Sequence, residues 1–263
     1  MPGWSPKLVA VDADGTIVGP DEIIPAALKA KLRQIDAAGV PVVLATGRAW
    51  ASAQMIVDQL ALPQMYCVCN NGATVVTYPP LRRLSSVTFD PAPVIAVVRH
   101  YPSVVVAIED FGRGYLLSQA FPPGAYRLHG QHSVVGLDYL AARPASRMIL
   151  RDAQMSPAEF DAMIARLDLT GLSHWRGGDN WYDIASNAAG KDNGLAIVAE
   201  RLGLTSHDVL AFGDADNDLG MLGWAGRGVA VGDAAPWVQA AADAVAPVFA
   251  DGGILPELER WFG

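Results

Sequence analysis

Short, continuous apolar runs alternate with helix-like patterns in the first part of the chain. Each run ends in polar or glycine residues, as buried strands of a parallel sheet do. The segments between the runs carry apolar residues at helical spacing, and the first begins with Pro25 and ends at Gly39. The pattern predicts strands at 7–11, 40–45 and 65–69 and helices at 25–38 and 50–60. This alternation is typical of an α/β fold.

The alternation of predicted strands and helices ends after Gly72. A strand is predicted at 73–78, the pair Pro79–Pro80 interrupts it, and a different pattern begins near Arg83. A unit of one helix and two strands then occurs twice, each time with a hairpin around glycine. The first unit has a predicted helix at 91–101 and strands at 104–109 and 114–118. A strand at 147–150 follows, and the second unit has a helix at 157–167 and strands at 172–175 and 181–185. The stretch 119–144 has no clear period, and we interpret it as loops.

The first pattern resumes at Lys191. It predicts helices at 194–202, 218–225 and 235–242 and strands at 209–212, 228–231 and 244–246. A crossover between parallel strands needs about a dozen residues, whereas Gly72 and Lys191 are more than one hundred apart. We therefore expect a Rossmann-like α/β core with a parallel sheet, formed by 1–83 and 187–263, and an inserted α+β domain at 84–186.

Composition and charge narrow the class of protein. The chain has 263 residues, 51% of them hydrophobic and 17% charged, which is enough apolar surface for a folded core. Its net charge of -8 has the wrong sign for a protein that grips nucleic acid. We expect no membrane role, because no run of about 18 apolar residues occurs. The start of the chain lacks a secretory signal and the two cysteines form no disulfide framework, which predicts a cytoplasmic protein.

Two acidic segments follow predicted strands directly. The first is the run from Asp12 to Thr16, at a strand end where open α/β sheets place their ligands. Two carboxylates there must be solvated, paired or bound to a cation, because unpaired buried charge is strongly unfavourable. Taken alone, the Asp-x-Asp-Gly pattern is also typical of a solvated turn.

The second acidic segment runs from Gly213 to Asp218, and its oxygen ligands suit Mg²⁺. A calcium-binding EF-hand loop is excluded. Counting from Asp214, Leu219 stands where the loop needs its sixth-position glycine, and Ala225 stands where it needs its final glutamate.

Two further segments offer groups that can hold an anion. Thr46 and Gly47 follow a predicted strand and precede a helix, where a hydroxyl and free backbone amides form an anion site. Lys191 follows Gly190 at a helix start and could neutralise phosphate oxygens, although a solvated surface lysine is equally compatible with its position.

Taken together, the Asp12–Thr16 strand end, Thr46, Lys191 and the Gly213–Asp218 segment resemble, in this order, the motifs of the haloacid dehalogenase superfamily of phosphotransferases. The run Asn70–Ala73 and the insertion after it are similar to the Cof-type branch, subfamily IIB, whose cap domain occupies that place. The resemblance implies a Mg²⁺-dependent phosphomonoester hydrolase. Its expected partner is a small phosphorylated metabolite, with a sugar phosphate as the first candidate.

The resemblance also implies a role for each motif residue. Asp12 is the expected nucleophile, forming an aspartyl-phosphate, and Asp14 the expected acid and then base. Asp12, the main-chain carbonyl of Asp14, Asp214 and, through water or as a support, Asp218 would hold Mg²⁺. The expected catalytic residues are Asp12, Asp14, Thr46 and Lys191, and the expected phosphate-binding residues are Ala13, Thr46, Gly47, Arg48, Lys191 and Asn217. Asp216 falls at a variable position, where we expect it only to be solvated.

Alternatives remain open at this stage. Asp14 favours phosphate chemistry over carbon–halogen cleavage, because the dehalogenases of the superfamily lack this second acid. A phosphomannomutase-like phosphotransferase shares the motifs, and a non-enzymatic scaffold would be expected to lack one of them. Substrate choice is expected to lie in 84–186, where the polar hairpin 174–181 either contacts the leaving group or is a solvated tip. The chain is expected to be a monomer or a homodimer.

Overall fold

The structure is a computed structural model of the chain and describes residues 3–124, 128–178 and 180–263. Its strands are β1 (Leu8–Val11), β2 (Val42–Ala45), β3 (Met65–Cys69), β4 (Thr74–Tyr78), β5 (Arg82–Ser86), β6 (Val105–Asp110), β7 (Gly114–Leu117), β8 (Gln131–Val134), β9 (Met148–Arg151), β10 (Leu172–Gly177), β11 (Trp181–Ser186), β12 (Val209–Gly213), β13 (Arg227–Ala230) and β14 (Ala244–Val245). Its helices are α1 (Ala26–Ala37), α2 (Trp50–Leu60), α3 (Ala92–Val98), α4 (Leu137–Ala141), α5 (Pro157–Ile164), α6 (Lys191–Arg201), α7 (Leu219–Trp224), α8 (Pro236–Ala241) and α9 (Leu255–Phe262).

The chain divides into two compact units. The first contains the chain up to Arg48 together with Ala53–Ser85 and Gly190–Gly263, and the second contains Ala49–Ser52 and Ser86–Ala189. The second unit therefore includes the short segment Ala49–Ser52, at the start of α2, which the sequence pattern does not separate from its neighbours.

The first unit is built on an eight-stranded sheet in the order β14-β13-β12-β1-β2-β3-β4-β5. The strands from β14 to β3 are paired in parallel, and β4 is antiparallel to β3. All residues of β1 and β2 are buried, which explains their unbroken apolar sequences. Because β12, β1 and β2 are parallel neighbours, the segments that follow them leave the same edge of the sheet. The expected α/β fold class with a parallel-sheet core is confirmed.

The second unit contains a six-stranded sheet in the order β10-β11-β9-β6-β7-β8, antiparallel except for the pair β7–β8. Its main apolar cluster joins the inner residues of α3 and α5 to strand residues such as Val106, Leu150 and Ile184. Helix α5 begins with a capping box, in which Ser156 and Glu159 bond each other's backbone amides.

The sequence pattern missed several elements. Strand β8 and helix α4 lie in the stretch interpreted as loops; β8 is exposed at every position, so it has no apolar alternation, and α4 has only five residues. Strand β5 and the terminal helix α9 were also not predicted, and α6 begins three residues earlier than expected, at Lys191. No helix in the described part of the chain is both long and apolar enough to cross a bilayer.

Candidate active site

The sheet of the first unit brings the predicted motif residues to one edge. Val11 pairs with Phe212 on one side and with Leu44 on the other, so the segments after β1, β2 and β12 begin side by side. The backbone amide of Asp12 continues this pairing by donating to the carbonyl of Phe212 at 3.0 Å. The order of the strands therefore places segments far apart in sequence at one location.

Three carboxylates and one lysine form the centre of this site. One oxygen from each of Asp12, Asp214 and Asp218 lies within 4.8 Å of the others. Lys191 Nζ donates to Asp12 Oδ1 at 2.5 Å and to Asp218 Oδ1 at 2.6 Å. The side chains of Lys191 and Asp218 are fully buried, and that of Asp12 is 7% exposed. The structure thus brings together four of the residues that the motifs nominate, and we call this group the acid cluster.

Burial and mutual repulsion make the acid cluster electrostatically unfavourable without a further cation. Burial raises the pKa of Asp12 well above its ordinary value; Lys191 opposes the shift, and Asp218 and Asp214 add to it. The pKa of Asp214 is raised by burial and then by Asp218. Burial disfavours the charged form of Lys191, but the charges of Asp12 and Asp218 outweigh it and raise the pKa of the ammonium. One lysine therefore faces three acids, which leaves a charge of -2 when all are ionised.

The residues present fit a hard divalent cation. Carboxylate oxygens are the ligands that Mg²⁺ takes in proteins, and a charge of +2 would balance the cluster. The backbone leaves room for Asp214: a Cβ on Gly15 would lie 2.4 Å from Asp214 Oδ2, and Gly15 has a φ of +84° that favours glycine. Thr16 orients the same carboxylate, because its hydroxyl donates to Asp214 Oδ1 at 3.0 Å.

Asp218 stabilises the backbone of the acidic segment that runs from Gly213 to Asp218. Its Oδ1 accepts from Lys191, and its Oδ2 accepts from the backbone amides of Asp214 at 3.0 Å and Ala215 at 3.1 Å. Both oxygens are therefore engaged by the protein, which suits the supporting role expected of Asp218. Asp216 points elsewhere: its Oδ1 accepts from the indole of Trp237 at 2.5 Å, so it is hydrogen-bonded and not merely solvated.

A set of hydrogen-bond donors lies beside the acid cluster. Within the described part of the chain, the backbone amides of Ala13 and Gly47 donate to no protein acceptor. Ala13 is nevertheless fully buried, and an orphaned buried N–H is rare unless a ligand or water accepts from it. Thr46 is also buried, and its hydroxyl accepts from the amide of Arg48 at 3.1 Å. These donors are suited to anionic oxygens.

Asn217 is oriented by a residue that the motifs did not assign to the site. Its Nδ2 donates to Asn71 Oδ1 at 2.9 Å, and a Cβ on Gly47 would lie 3.1 Å from the same oxygen. Asn71 has a φ of +52°, a left-handed conformation that asparagine tolerates better than most residues. The available sequence signal was the Asn70-Asn71-Gly72 run directly after a strand, which is typical of such a turn.

Asp14 and Arg48 form a pair outside the acid cluster. Arg48 donates to both carboxylate oxygens of Asp14, from Nε at 2.8 Å and from Nη2 at 2.5 Å, and its Nη1 lies 2.6 Å from Glu22 Oε1. These contacts, led by the hydrogen bond to Asp14, raise the pKa of Arg48 despite its partial burial. Glu22 had no motif signal. The role of Arg48 as a phosphate ligand remains a prediction.

The polar hairpin of the second unit has protein partners of its own. His174 Nδ1 lies 2.6 Å from the hydroxyl of Tyr182, and Arg176 pairs with Asp161. Trp181 donates from its indole to Asp183, at 2.7 Å. Asp179, at the predicted tip, lies outside the described residues. Three side chains of the hairpin, His174, Arg176 and Trp181, are therefore bonded to other residues of the second unit.

The fold and the site together indicate a class of protein. An open parallel α/β sheet that carries carboxylates, a buried lysine and free backbone amides at its carboxyl edge is suited to phosphoryl transfer, where developing charge on phosphoryl oxygens must be stabilised. The family model of the haloacid dehalogenase-like hydrolases matches residues 9–258. The chain belongs to this family, and the expected class of enzyme, a hydrolase acting on phosphomonoesters, is confirmed.

Relatives and solved structures agree with this membership along nearly the whole chain. The HMP-PP phosphatase of Serratia proteamaculans is 29% identical over 244 residues, covering 89% of this chain and 86% of that protein. The phosphoglycolate phosphatase of Methanopyrus kandleri is 27% identical over 239 residues, covering 91% and 90%. The crystal structure of a haloacid dehalogenase-like hydrolase from Bacteroides thetaiotaomicron superposes with a TM-score of 0.85 at 20% identity, covering 97% of this chain and 99% of that one.

Proposed function

We propose that this protein is a Mg²⁺-dependent phosphatase that releases inorganic phosphate from a small phosphorylated metabolite through an aspartyl-phosphate. One observation carries the proposal: Asp12 lies buried at the end of β1, with Oδ1 bonded to Lys191 and the carboxylates of Asp214 and Asp218 beside it. A carboxylate oriented in this way can act as a nucleophile, and its neighbours supply the ligands for a divalent cation.

In the first half-reaction, a carboxylate oxygen of Asp12 forms a bond to phosphorus while the ester P–O bond breaks. The electron pair of that bond goes to the leaving oxygen, which takes a proton from Asp14. In the second half-reaction Asp14 accepts a proton from water, the water oxygen bonds to phosphorus, and the Asp12–phosphorus bond breaks. Asp12 thereby returns to its carboxylate form and inorganic phosphate is released.

The remaining site residues stabilise the transferring group. The amides of Ala13 and Gly47 have their hydrogens available. The ammonium of Lys191 is bonded to Asp12, and the side-chain amide of Asn217 is oriented by Asn71. Thr46 completes the proposed phosphate-binding set; the contribution of Arg48, also expected in this set, depends on its pairing with Asp14 and Glu22. Asp12, Asp214, the carbonyl of Asp14 and, indirectly, Asp218 would hold Mg²⁺. When bound, the ion would supply positive charge that stabilises the phosphoryl oxygens.

The substrate is proposed to be a sugar phosphate or a related organic phosphate. The two curated relatives are named for chemically different substrates, HMP-PP and phosphoglycolate, although both are small organic phosphates. This favours a core that handles the phosphoryl group, with the leaving group recognised elsewhere. We propose the insertion, 84–186, as the cap domain that selects it. A cytoplasmic location and a monomeric or homodimeric state are retained as predictions, to be checked by fractionation and sedimentation.

A panel of phosphate esters tests the proposed function. Sugar phosphates, nucleotides, cofactor phosphates and an aryl phosphate are each incubated with the protein, with Mg²⁺ or with chelator, and released phosphate is measured. Release that requires Mg²⁺ supports the phosphatase. The phosphomannomutase-like alternative instead predicts isomerisation that needs a bisphosphate activator, without net phosphate release. The named activities of the relatives do not favour it.

Mg²⁺ is expected to stabilise the folded protein even without substrate. A ligand that binds only the folded state at one hundred times its Kd adds about 2.7 kcal/mol to the free energy of unfolding. Thermal unfolding with chelator and with Mg²⁺ should therefore show an upward shift in Tm for the wild-type protein and little shift for Asp214→Asn. Asp208→Asn, which changes an acid paired with Lys7 outside the cluster, is the matched control and should keep the shift. An equal shift in Asp214→Asn would contradict the assigned site.

A further inference from the structure

The carboxylate of Asp14 is oriented by a single guanidinium. Arg48 makes two roughly parallel hydrogen bonds to it, one from Nε and one from Nη2, at 2.8 and 2.5 Å. The planar fork of an arginine matches a carboxylate in this way, so it fixes the direction of the carboxylate as well as its distance. The side chain of Asp14 is 59% exposed. Its orientation therefore depends on this pairing and not on packing.

Glu22 anchors the guanidinium on its other side. Arg48 Nη1 lies 2.6 Å from Glu22 Oε1, and the arginine side chain is only 15% exposed. The backbone of Glu22 is itself held, because its amide donates to the carbonyl of Gly19 and its carbonyl accepts from Gln59 Nε2 at 2.8 Å. Glu22 has a φ of +58°, which is uncommon for a glutamate and persists where the surroundings determine it.

The main chain of Arg48 is fixed by the same loop that presents the anion donors. Its amide donates to the hydroxyl of Thr46 at 3.1 Å, and its carbonyl accepts from the amide of Asn70 at 2.9 Å. The start of the side chain and the end of its guanidinium are thus both held in place. All three guanidinium nitrogens contact Asp14 or Glu22, so at least three of the five N–H groups are directed at these carboxylates and not at a phosphoryl oxygen.

We propose that Arg48 is a positioning residue for Asp14, anchored by Glu22, and that this is its main contribution to the reaction. The inference rests on the proposed function, in which Asp14 transfers the proton. When the ester P–O bond breaks, the proton of Asp14 moves to the leaving oxygen; in the second half-reaction the Asp14 carboxylate takes a proton from water. Arg48 sets the direction in which the carboxyl group meets both partners.

Three variants separate positioning from phosphate binding. Arg48→Met removes the fork and the charge, Arg48→Lys keeps the charge without the fork, and Glu22→Gln removes the charge of the anchor. The measured quantity is kcat/KM for an alkyl phosphate and for an aryl phosphate with a weakly basic leaving oxygen. The ratio kcat/KM reports the steps up to departure of the leaving group. In these steps the alkyl ester depends strongly on a proton donor, because its leaving oxygen is strongly basic, whereas the aryl ester does not. Inhibition by inorganic phosphate is measured in parallel.

For Arg48→Met and Arg48→Lys we expect kcat/KM to fall about 100-fold with the alkyl phosphate and less than about 10-fold with the aryl phosphate, the range of a misplaced general acid. Inhibition by inorganic phosphate should stay within about 3-fold of the wild-type value, well below a tenfold loss of affinity. Glu22→Gln should show a smaller loss with the same preference for the aryl ester.

Arg227→Met is the control for the loss of a partly buried ion pair. Arg227 Nε lies 2.7 Å from Glu257 Oε1 in the same unit, and both side chains are 13% exposed. This variant should affect the two esters equally. Equal losses on both esters in the Arg48 variants would reduce Arg48 to a structural role, and intact Arg48→Lys activity with weakened phosphate inhibition in Arg48→Met would assign it to phosphate binding. If the wild-type protein hydrolyses neither ester, the proposed function fails first and this inference fails with it.

Discussion

Replacing Asp12 by asparagine is expected to lower the rate of phosphate release by about 10⁴-fold or more, because the nucleophile is lost and loss of a nucleophile costs this much or more in enzymes that form covalent intermediates. The side chain keeps its size, and its amide oxygen can still accept from Lys191, so the fold should remain intact. Circular dichroism and cooperative unfolding check the fold, and the phosphate-release assay with Mg²⁺ checks the activity. Turnover at the wild-type rate would remove Asp12 from the mechanism.

The same substitution should also change how stability depends on pH. Burial raises the pKa of Asp12 in the folded protein, so the folded state binds this proton more tightly than the unfolded chain does. Ionised Asp12 therefore opposes folding, and its cost grows as the pH rises from about 3.9, the value in an unfolded chain, to the raised value in the folded protein. Asp12→Asn lacks this cost.

Urea unfolding between pH 4 and pH 8, with chelator present, measures the difference. The free energy of unfolding of Asp12→Asn relative to wild type should be higher at pH 8 than at pH 4. Asp216→Asn is the matched control, because it removes an acid from the neighbouring loop that is bonded to Trp237 and lies outside the acid cluster. If the difference in free energy of unfolding between Asp12→Asn and wild type does not change with pH, the Asp12 carboxylate is not destabilised by burial in the metal-free protein.

Lys191→Met is expected to destabilise the fold strongly. Lys191 is fully buried and bonds to Asp12 and Asp218, so its removal leaves buried carboxylates without a cationic partner. Breaking a buried ion pair from one side costs about 3–5 kcal/mol. Urea unfolding at neutral pH with chelator should show a loss of this size, and the affinity for phosphate or vanadate should weaken together with the rate.

Lys7 provides the matched control for that loss. It also pairs with an aspartate, Asp208, at 2.8 Å, but its side chain is 65% exposed. Lys7→Met should therefore change the stability little, because an exposed ion pair is already solvated. Equal losses in the two variants would mean that the charge of Lys191 is not needed to hold the acid cluster. Addition of Mg²⁺ should narrow the difference in stability between Lys191→Met and wild type. Lys7→Met should gain as much from Mg²⁺ as wild type does, because its acid cluster is intact.

Much of the core could be predicted from local patterns. The run at 7–11 anticipated β1, and the apolar spacing of Leu28, Leu32 and Ile35 anticipated α1, because burial on one face selects these residues directly. The exposed strand β8 could not be found in this way, since it carries polar residues on both faces. The motifs likewise indicated the residues at the strand ends, but they indicated nothing about Glu22, whose role depends on a contact with Arg48.

Hydrophobic period and turn residues act over a few positions, so local patterns were sufficient to predict most of the elements and the chemical groups at their ends. Which of these groups meet depends on the packing of the whole chain. Lys191 bonds to Asp12 across 179 positions because α6 begins beside the edge where β1 and β12 are neighbours. The tertiary structure also separated Asp12 from Asp14, which are two residues apart: one joins the buried acid cluster, and the other turns to Arg48. Strand order and backbone direction, set by the packing of the whole sheet, account for both outcomes.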